Sequence, residues 1–378
     1  MDITAIIAEY NPFHNGHAYH IAKTKELFPT TKVVCIMSGE FVQRGEPSIA
    51  QSHQRATWAI KAGASACLKL PLWSSFSDGE NFAKSGVKVA KLIGANRLCF
   101  GSECGDISLL KEIAKILDEF SPAFQKEFQV NMQKGFNYPT SICNTFKKLY
   151  PTKEYASVLS NPNDILGVLY IRALNGSSIE PVCIKREDNG YNSTTPCGKF
   201  LSASSIRSLG VKNAKDYLPD YVYNDINSVD FEKELSSIAL YKLKAISNSE
   251  LENIQDVTEG LNNRIKKYVY ESNTLDELLA KVKTKRYTMA RLKRIVLFSL
   301  LEVSKEKFKQ MDKVDYVKLL AINKEEKELL SYLATRGALI KQGELTQSQL
   351  EFWQEENKIS DLHSVLLHKT AIRNTIFV

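Results

Sequence analysis

The chain predicts an α/β protein, with a doubly wound parallel sheet continued into an all-α region. Three observations predict it. Short apolar runs recur through the first part, each closed by a polar or Gly-containing loop and followed by an amphipathic stretch, which is the alternation of a parallel α/β sheet. The run from Lys32 to Ser38 is almost continuously apolar, as a strand buried on both faces requires. Beyond about Pro219 strand signals nearly vanish. Glu232 to Glu356 then carries apolar residues three and four apart, as in LYKLKAI, LDELLAKV and LKRIVLFSLLEV, the spacing of helices with one buried face.

Taken in order, Ile3 to Glu9 reads as a strand, His17 to Phe28 as a helix and Lys32 to Ser38 as the second strand. Ile49 to Ala62 reads as helical, Ala66 to Leu70 as extended, Glu80 to Ile93 as helical and Asn96 to Gly101 as a further strand. Right-handed crossovers build these units into a Rossmann-like sheet, with binding residues at the carboxyl ends of the strands. Helical patterns fill Ile107 to about Phe146. A last strand-like run, Glu180 to Lys185, precedes a loop rich in Gly, Asn, Ser, Thr and Pro from Asp188 to Gly198, whose length predicts mobility. The division expected is an α/β domain over 1–220 and a basic helical domain over 221–378.

Composition bounds the class. The 378 residues hold 50 Lys and Arg against 43 Asp and Glu, a net charge of +7, with 43% hydrophobic and 25% charged residues, which excludes disordered and fibrous classes. No run reaches the roughly 18 apolar residues of a membrane span, and the N-terminus lacks the basic flank and small-residue cleavage site of a leader. A cytoplasmic protein without a membrane or DNA partner is expected. The seven cysteines are scattered with no C-x-x-C pair, so they read as buried, reduced thiols.

After the first strand comes Glu9-Tyr10-Asn11-Pro12-Phe13-His14-Asn15-Gly16-His17, and the helix that follows carries His20. Pro12 ends the strand and Gly16 admits a close backbone. The new helix offers unpaired N–H groups and its positive dipole end to an anion. The segment is neither G-x-x-x-x-G-K-[ST] nor G-x-G-x-x-G. His14 and His17 can reach one ligand and donate to a phosphate as charge builds on it. Two other readings stay open: rings that cap or pack the helix start, and a metal site of His14, His17 and His20, though no acidic ligand set stands nearby.

H-x-G-H at the end of a first strand resembles the nucleotidyltransferase superfamily with the HIGH motif, whose members bind ATP and attack its α-phosphate. Such proteins carry a later Ser/Thr turn with Arg that grips the outer phosphates. Leu201 to Arg207, LSASSIR, is similar to it, with Ser202 and Ser204 as hydroxyl donors and Arg207 as the fork. On its own, S-x-S-S is also a common helix cap.

AEYNPFHNGHAYH, MSGEFVQRGEPSIAQSHQRATWAIKAGAS, FGSE, NPNDILGVLYIRAL, IKRE and SASSIR together resemble the bacterial tRNA(Met) cytidine acetate ligase family. The likeness runs from Met1 to about Leu209 and continues more loosely into TKRYTMARLKRI. It implies ATP-dependent acetylation of N4 of the wobble cytidine in elongator tRNA(Met), from free acetate through an acetyl-adenylate, releasing AMP and pyrophosphate.

The resemblance also implies site residues. Ile7, Ala8, Glu9, Tyr10, Asn11, Pro12, Phe13, His14, Asn15, Gly16, His17 and His20 lie in the segment that wraps ATP, with His14 and His17 catalytic. Gly101 lets adenosine lie against bare backbone, and Asn163 and Arg186 contact the nucleotide. Read without the family, Gly101 is a strand-end turn, Asn163 part of a helix cap and Arg186 a solvated cation. Arg44 or Arg55 could hold acetate; a helix-capping ion-pair cluster is the equal alternative. Acetate attack brings two anions together, which is work for His14, His17, the helix N-terminus and Mg2+ on the departing pyrophosphate. The Asp188 to Gly198 loop would serve as a lid over the water-labile anhydride.

RNA needs a basic surface. Lys281, Lys283, Lys285, Arg286, Arg291, Lys293 and Arg294 follow one another with no acid between them, and Tyr287 among them could stack on a base. Arg264, Lys266 and Lys267 could extend the patch. A solvated helix face is the plain alternative. The rival function is an adenylyltransferase for a small metabolite, which uses the same phosphate motifs but needs no large basic helical domain.

Overall fold

The computed structural model describes residues 1–186, 200–226, 231–336, 343 and 345–378. The strands are β1 (Ile3–Ala8), β2 (Lys32–Met37), β3 (Phe41–Val42), β4 (Glu46–Pro47), β5 (Ala66–Lys69), β6 (Arg97–Ser102), β7 (Glu180–Lys185), β8 (Leu319–Ile322) and β9 (Ile376–Phe377). Seven of them form one sheet in the order β7-β6-β1-β2-β5-β8-β9, and β3 pairs with β4 apart from it. β1 runs parallel to β2 and β6, β2 parallel to β5, and β6 parallel to β7. This is a mostly parallel, doubly wound sheet of the class read from the sequence.

Alternation within the strands explains their continuous apolarity. Ile3, Ala5, Ile7, Val34 and Ile36 join one core; Ile6, Val33, Cys35 and Met37 join the core on the other face. Period-two alternation with both faces covered makes every position buried.

One element of the helical reading is corrected. Leu319–Ile322, inside the stretch read as successive helices, is β8, antiparallel to β5, and β9 pairs with β8 in parallel. The described helices of that region include Glu232–Ala245, Met289–Leu300 and Gln347–Leu367. Its core takes in Phe41, Leu72, Trp73 and Phe76 from the first part of the chain. A buried ion pair reinforces that seam: Glu40 and Lys69 meet at 2.8 Å, and Glu40 also accepts from Ser52 Oγ and Ser360 Oγ. Burial would raise the Glu40 pKa, but the Lys69 ammonium beside it holds the carboxyl well below the usual range.

Cys35, Cys67 and Cys99 are buried, Cys104, Cys143 and Cys183 half-buried, and all six are free thiols. Cys197 and the Asp188 to Gly198 loop lie outside the described residues.

Candidate nucleotide-binding site

At the end of β1 the chain turns sharply. Tyr10 adopts φ +51°, and its hydroxyl lies 3.2 Å from Cys35 Sγ on β2, while its ring meets Phe13 edge-on. These buried aromatics pin the loop, so His14 becomes the N-cap of the helix Asn15–Leu27. The Gly16 N–H donates to His14 Nδ1 (3.1 Å), and the His14 N–H donates to His17 Nδ1 (3.2 Å). The two rings stack with centroids 3.7 Å apart.

This reciprocal cap decides the tautomers. Each Nδ1 uses its lone pair on a main-chain N–H, so each neutral ring keeps its proton on Nε2. Capping and phosphate donation are therefore compatible, because the cap uses Nδ1 of each ring and not Nε2. Burial, then the charges of His14, Arg186 and His20, keeps the His17 pKa well below that of a free imidazole. Burial and Arg186 bring His20 down to about 4, and His20 Nε2 sits 3.5 Å from Cys99 Sγ of β6. A Cβ on Gly16 would come within 2.9 Å of His14 Cε1, so only glycine fits under that ring.

Four of the other predicted residues gather on this end of the sheet. Arg186, just past β7, packs its aliphatic chain over Gly101 of β6, 3.4 Å from where a Cβ would stand. Asn163 donates from Nδ2 to Glu103 Oε1 (2.6 Å), and Glu103 also accepts from the Asp164 N–H (2.9 Å). Glu103 thus straps the exit of β6 to the helix Pro162–Ala173. Arg207 reaches back to the first motif, donating from Nη1 to the Asn11 carbonyl (2.6 Å). Ser202 caps its own helix by accepting the Ser205 N–H; Ser204 belongs to the first turn of that helix.

Arg55 is fully buried and engaged by main-chain oxygen. Nε donates to Ala50 (3.1 Å), Nη1 to Glu9, and Nη2 to Ser38 (3.1 Å) and Gly39. It holds the ends of β1 and β2 together through main-chain oxygen, not through the ion-pair cluster that the sequence offered beside acetate binding. Burial lowers its pKa to about 10, so it stays charged. Arg44 is half-buried, and its charge acts on both Glu9 and Glu46.

In the basic segment, acids come close from within one helix and from distant parts of the chain. Lys281 pairs with Glu277 (2.8 Å), Arg286 with Glu259 (2.6 Å), Lys293 with Glu46 (2.6 Å) and Arg294 with Asp256 (2.9 Å). Arg291 donates to the Asp256 carbonyl. Arg264 and Lys266 cap main-chain carbonyls of neighbouring helices. Lys283 and Lys285 have no acidic partner among the described residues. They line a cleft of about 580 Å³ with Asn137, Thr284, Tyr287, Thr288 and Met289. Tyr287 is only 8% exposed and lies under the Arg291 guanidinium. Asn137, from the first part of the chain, carried no signal in the sequence as a wall of this cleft. Glu103 stood inside FGSE, but nothing in its spacing tied it to Asn163.

The HIGH nucleotidyl transferase family model matches residues 1–375. A tRNA(Met) cytidine acetate ligase of Thermoanaerobacter sp. (strain X514) is 34% identical, covering 100% of this chain and 98% of its own. The ligase of Caldanaerobacter subterraneus subsp. tengcongensis is 36% identical over 90% and 88% of the two chains. The chain belongs to the tRNA(Met) cytidine acetate ligase family. The crystal structure of Thermotoga maritima TmcAL in its apo form superposes with a TM-score of 0.90 at 28% identity, covering both chains completely. The form of that protein bound with alpha-thio ATP gives 0.88, also at 28% identity. In this ligase fold no three His, Cys, Asp or Glu side chains among the described residues come together as a metal cage. His14 and His17 spend their Nδ1 atoms on the main chain instead.

Proposed function

We propose that the chain acetylates N4 of the wobble cytidine of elongator tRNA(Met), using ATP and acetate. The observation that carries this reading is the reciprocal cap at the end of β1, which fixes the stacked His14 and His17 rings at a helix N-terminus, where a phosphate would bind. ATP would lie across the carboxyl ends of β1, β6 and β7, with its adenosine over Gly101 and Arg186. Ile7 to His20 forms the wall, Asn163 the rim, and Ser202, Ser204 and Arg207 the side facing the outer phosphates.

In the first step an acetate oxygen attacks the α-phosphorus and the bond to the bridging oxygen breaks, releasing pyrophosphate. His14 and His17 donate to the phosphoryl oxygens, neutral as donors and fixed in orientation by the helix. In the second step the cytidine amine attacks the acetyl carbonyl, AMP leaves, and the amine loses its proton. Mg2+ neutralises phosphate charge in ATP chemistry. The described residues offer it no cage of their own, and no step is assigned to it.

We assign ATP chemistry to 1–220 and tRNA binding to 221–378, with Lys283 and Lys285 at its centre and Lys281, Arg286, Arg291, Lys293 and Arg294 contributing charge around their ion pairs. The working compartment is the cytoplasm, with neither DNA nor membrane as partner; no described helix is long and apolar enough to cross a membrane. The test is incubation with ATP, Mg2+ and radiolabelled acetate, with and without bulk bacterial tRNA, followed by nucleoside analysis. N4-acetylcytidine with AMP formation is the expected result. Absence of both adenylate and RNA label would turn the reading to a metabolite adenylyltransferase.

A further inference from the structure

Two buried polar atoms at the carboxyl ends of neighbouring strands have no hydrogen-bond partner among the described residues: Nδ2 of Asn11 and Oγ of Ser38. Asn11 is 1% exposed and Ser38 is fully buried. They share one neighbourhood. Ala8 and Met37 are register partners on β1 and β2, and the Ser38 N–H donates to the Ala8 carbonyl (3.0 Å). Asn11 Oδ1 accepts the Ile49 N–H (2.9 Å), next to the Ala50 carbonyl that Arg55 holds. Arg55 also binds the carbonyls of Glu9 and Ser38. The strand ends that carry the amide and the hydroxyl are thus both bonded to Arg55.

A buried donor without an acceptor costs stability, and nearly all such atoms in folded proteins are paired. Two of them stand on adjacent strand ends that Arg55 ties together, and both can donate to an anion. Their position suits the second substrate. Gly101 and Arg186 lie on the β6 and β7 side of β1, whereas Ser38 lies on the β2 side. The incoming acid must approach the α-phosphorus from the side opposite the departing pyrophosphate. Three acids stand beside the cations Arg44, Arg55 and Arg207: Glu40 is paired with Lys69 and Glu46 with Lys293, whereas Glu9 accepts the Gln43 N–H.

We propose that Asn11 and Ser38 bind the acetate carboxylate, the amide N–H and the hydroxyl each donating to one of its oxygens. Arg55 supplies positive charge from behind without giving up its main-chain bonds. The proposal rests on the ligase reading. It replaces a guanidinium fork by two neutral donors.

Acetate-dependent exchange of labelled pyrophosphate into ATP reads the first step without tRNA. If the wild-type protein shows no exchange, the ligase reading falls first. Given exchange, Ser38→Ala should raise the KM for acetate about tenfold, the loss of one hydrogen bond to a charged group, while the KM for ATP stays within about twofold. Its Tm should not fall, because no bond within the protein is lost. Asn11→Asp keeps the acceptor for Ile49 but replaces a donor by an anion, so its KM for acetate should rise further. A KM for acetate within about twofold of wild type in either folded variant overturns the proposal. So does a lower Tm for Ser38→Ala, which would mean that the hydroxyl already has a partner.

Discussion

The Glu46 carboxylate closes on the Lys293 ammonium at 2.6 Å, across 247 positions of sequence. Its other oxygen lies 3.3 Å from Arg207 Nη2. One acid thus ties the Ser/Arg turn of the phosphate site to the basic segment of the helical region. The preceding residue enforces the approach. Gly45 has φ +75°, and a Cβ there would stand 2.6 Å from the Arg294 nitrogen and 2.8 Å from the Lys293 carbonyl carbon.

Gly45→Ala should therefore be among the most disruptive substitutions of a single small side chain. It adds left-handed strain to a clash with main-chain atoms that cannot swing away, and a loss of about 2 kcal/mol or more is expected. Denaturant unfolding measures it. A change below about 0.5 kcal/mol would mean that the β3–β4 hairpin is not wedged against the helix Met289–Leu300.

Gly16→Ala tests the reciprocal cap. The new methyl displaces the His14 ring and opens its bond to the Gly16 N–H. A misplacement of this kind costs about 100-fold in rate. Acetate-dependent exchange should fall by that order, while tRNA retention on a filter changes less than about twofold.

Acid should unfold the protein early. Burial keeps His17 well below the ordinary value of 6.5 and brings His20 to about 4, His53 to about 3 and His363 to about 4. The rings of His20, His53 and His363 are neutral in the folded state at pH 5, whereas the unfolded chain binds protons on them. Stability is thus complete above about pH 6.5 and is lost as pH falls toward 4, by on the order of 1–2 kcal/mol per ring at pH 5. Thermal unfolding at pH 7.5 and pH 5.0 checks this; equal Tm values would contradict it.

Among the basic residues, two groups should separate. Reversing Lys283 and Lys285 to Glu should weaken tRNA binding and reduce its salt slope by about 2, with exchange activity retained. Arg294→Ala instead removes a buried cation from its pair with the half-buried Asp256 and should cost about 1–3 kcal/mol of stability. If Arg294→Ala folded normally and lost only tRNA affinity, its place in the RNA surface would stand and its structural role would not.

Most of the sheet was legible because β1, β2 and β6 carry apolar residues on both faces and end in polar loops. β8 was not. LLAI is a four-residue apolar run inside a helical pattern, and periodicity cannot tell such a run from a buried helical turn. The His14 and His17 pair was legible because both rings, the glycine and the helix start are contiguous in sequence. The work of Arg55 was hidden, since its acceptors are carbonyls of Glu9, Ser38, Gly39 and Ala50, and main-chain acceptors leave no mark on residue identity. The seven cations looked acid-free for a similar reason: Glu46, Asp256 and Glu259 reach them only through the fold.

The antiparallel partner of β5 arrives late in synthesis. Lys69 and Leu319 stand on adjacent strands, yet the ribosome makes all the intervening helices first. At about 5–20 residues per second this leaves the β5 edge open for on the order of 10–50 s. An apolar strand edge exposed for that long is a template for wrong pairing. Ala66, Cys67 and Leu68, all fully buried in the finished sheet, are where a nascent-chain chaperone would have most to shield.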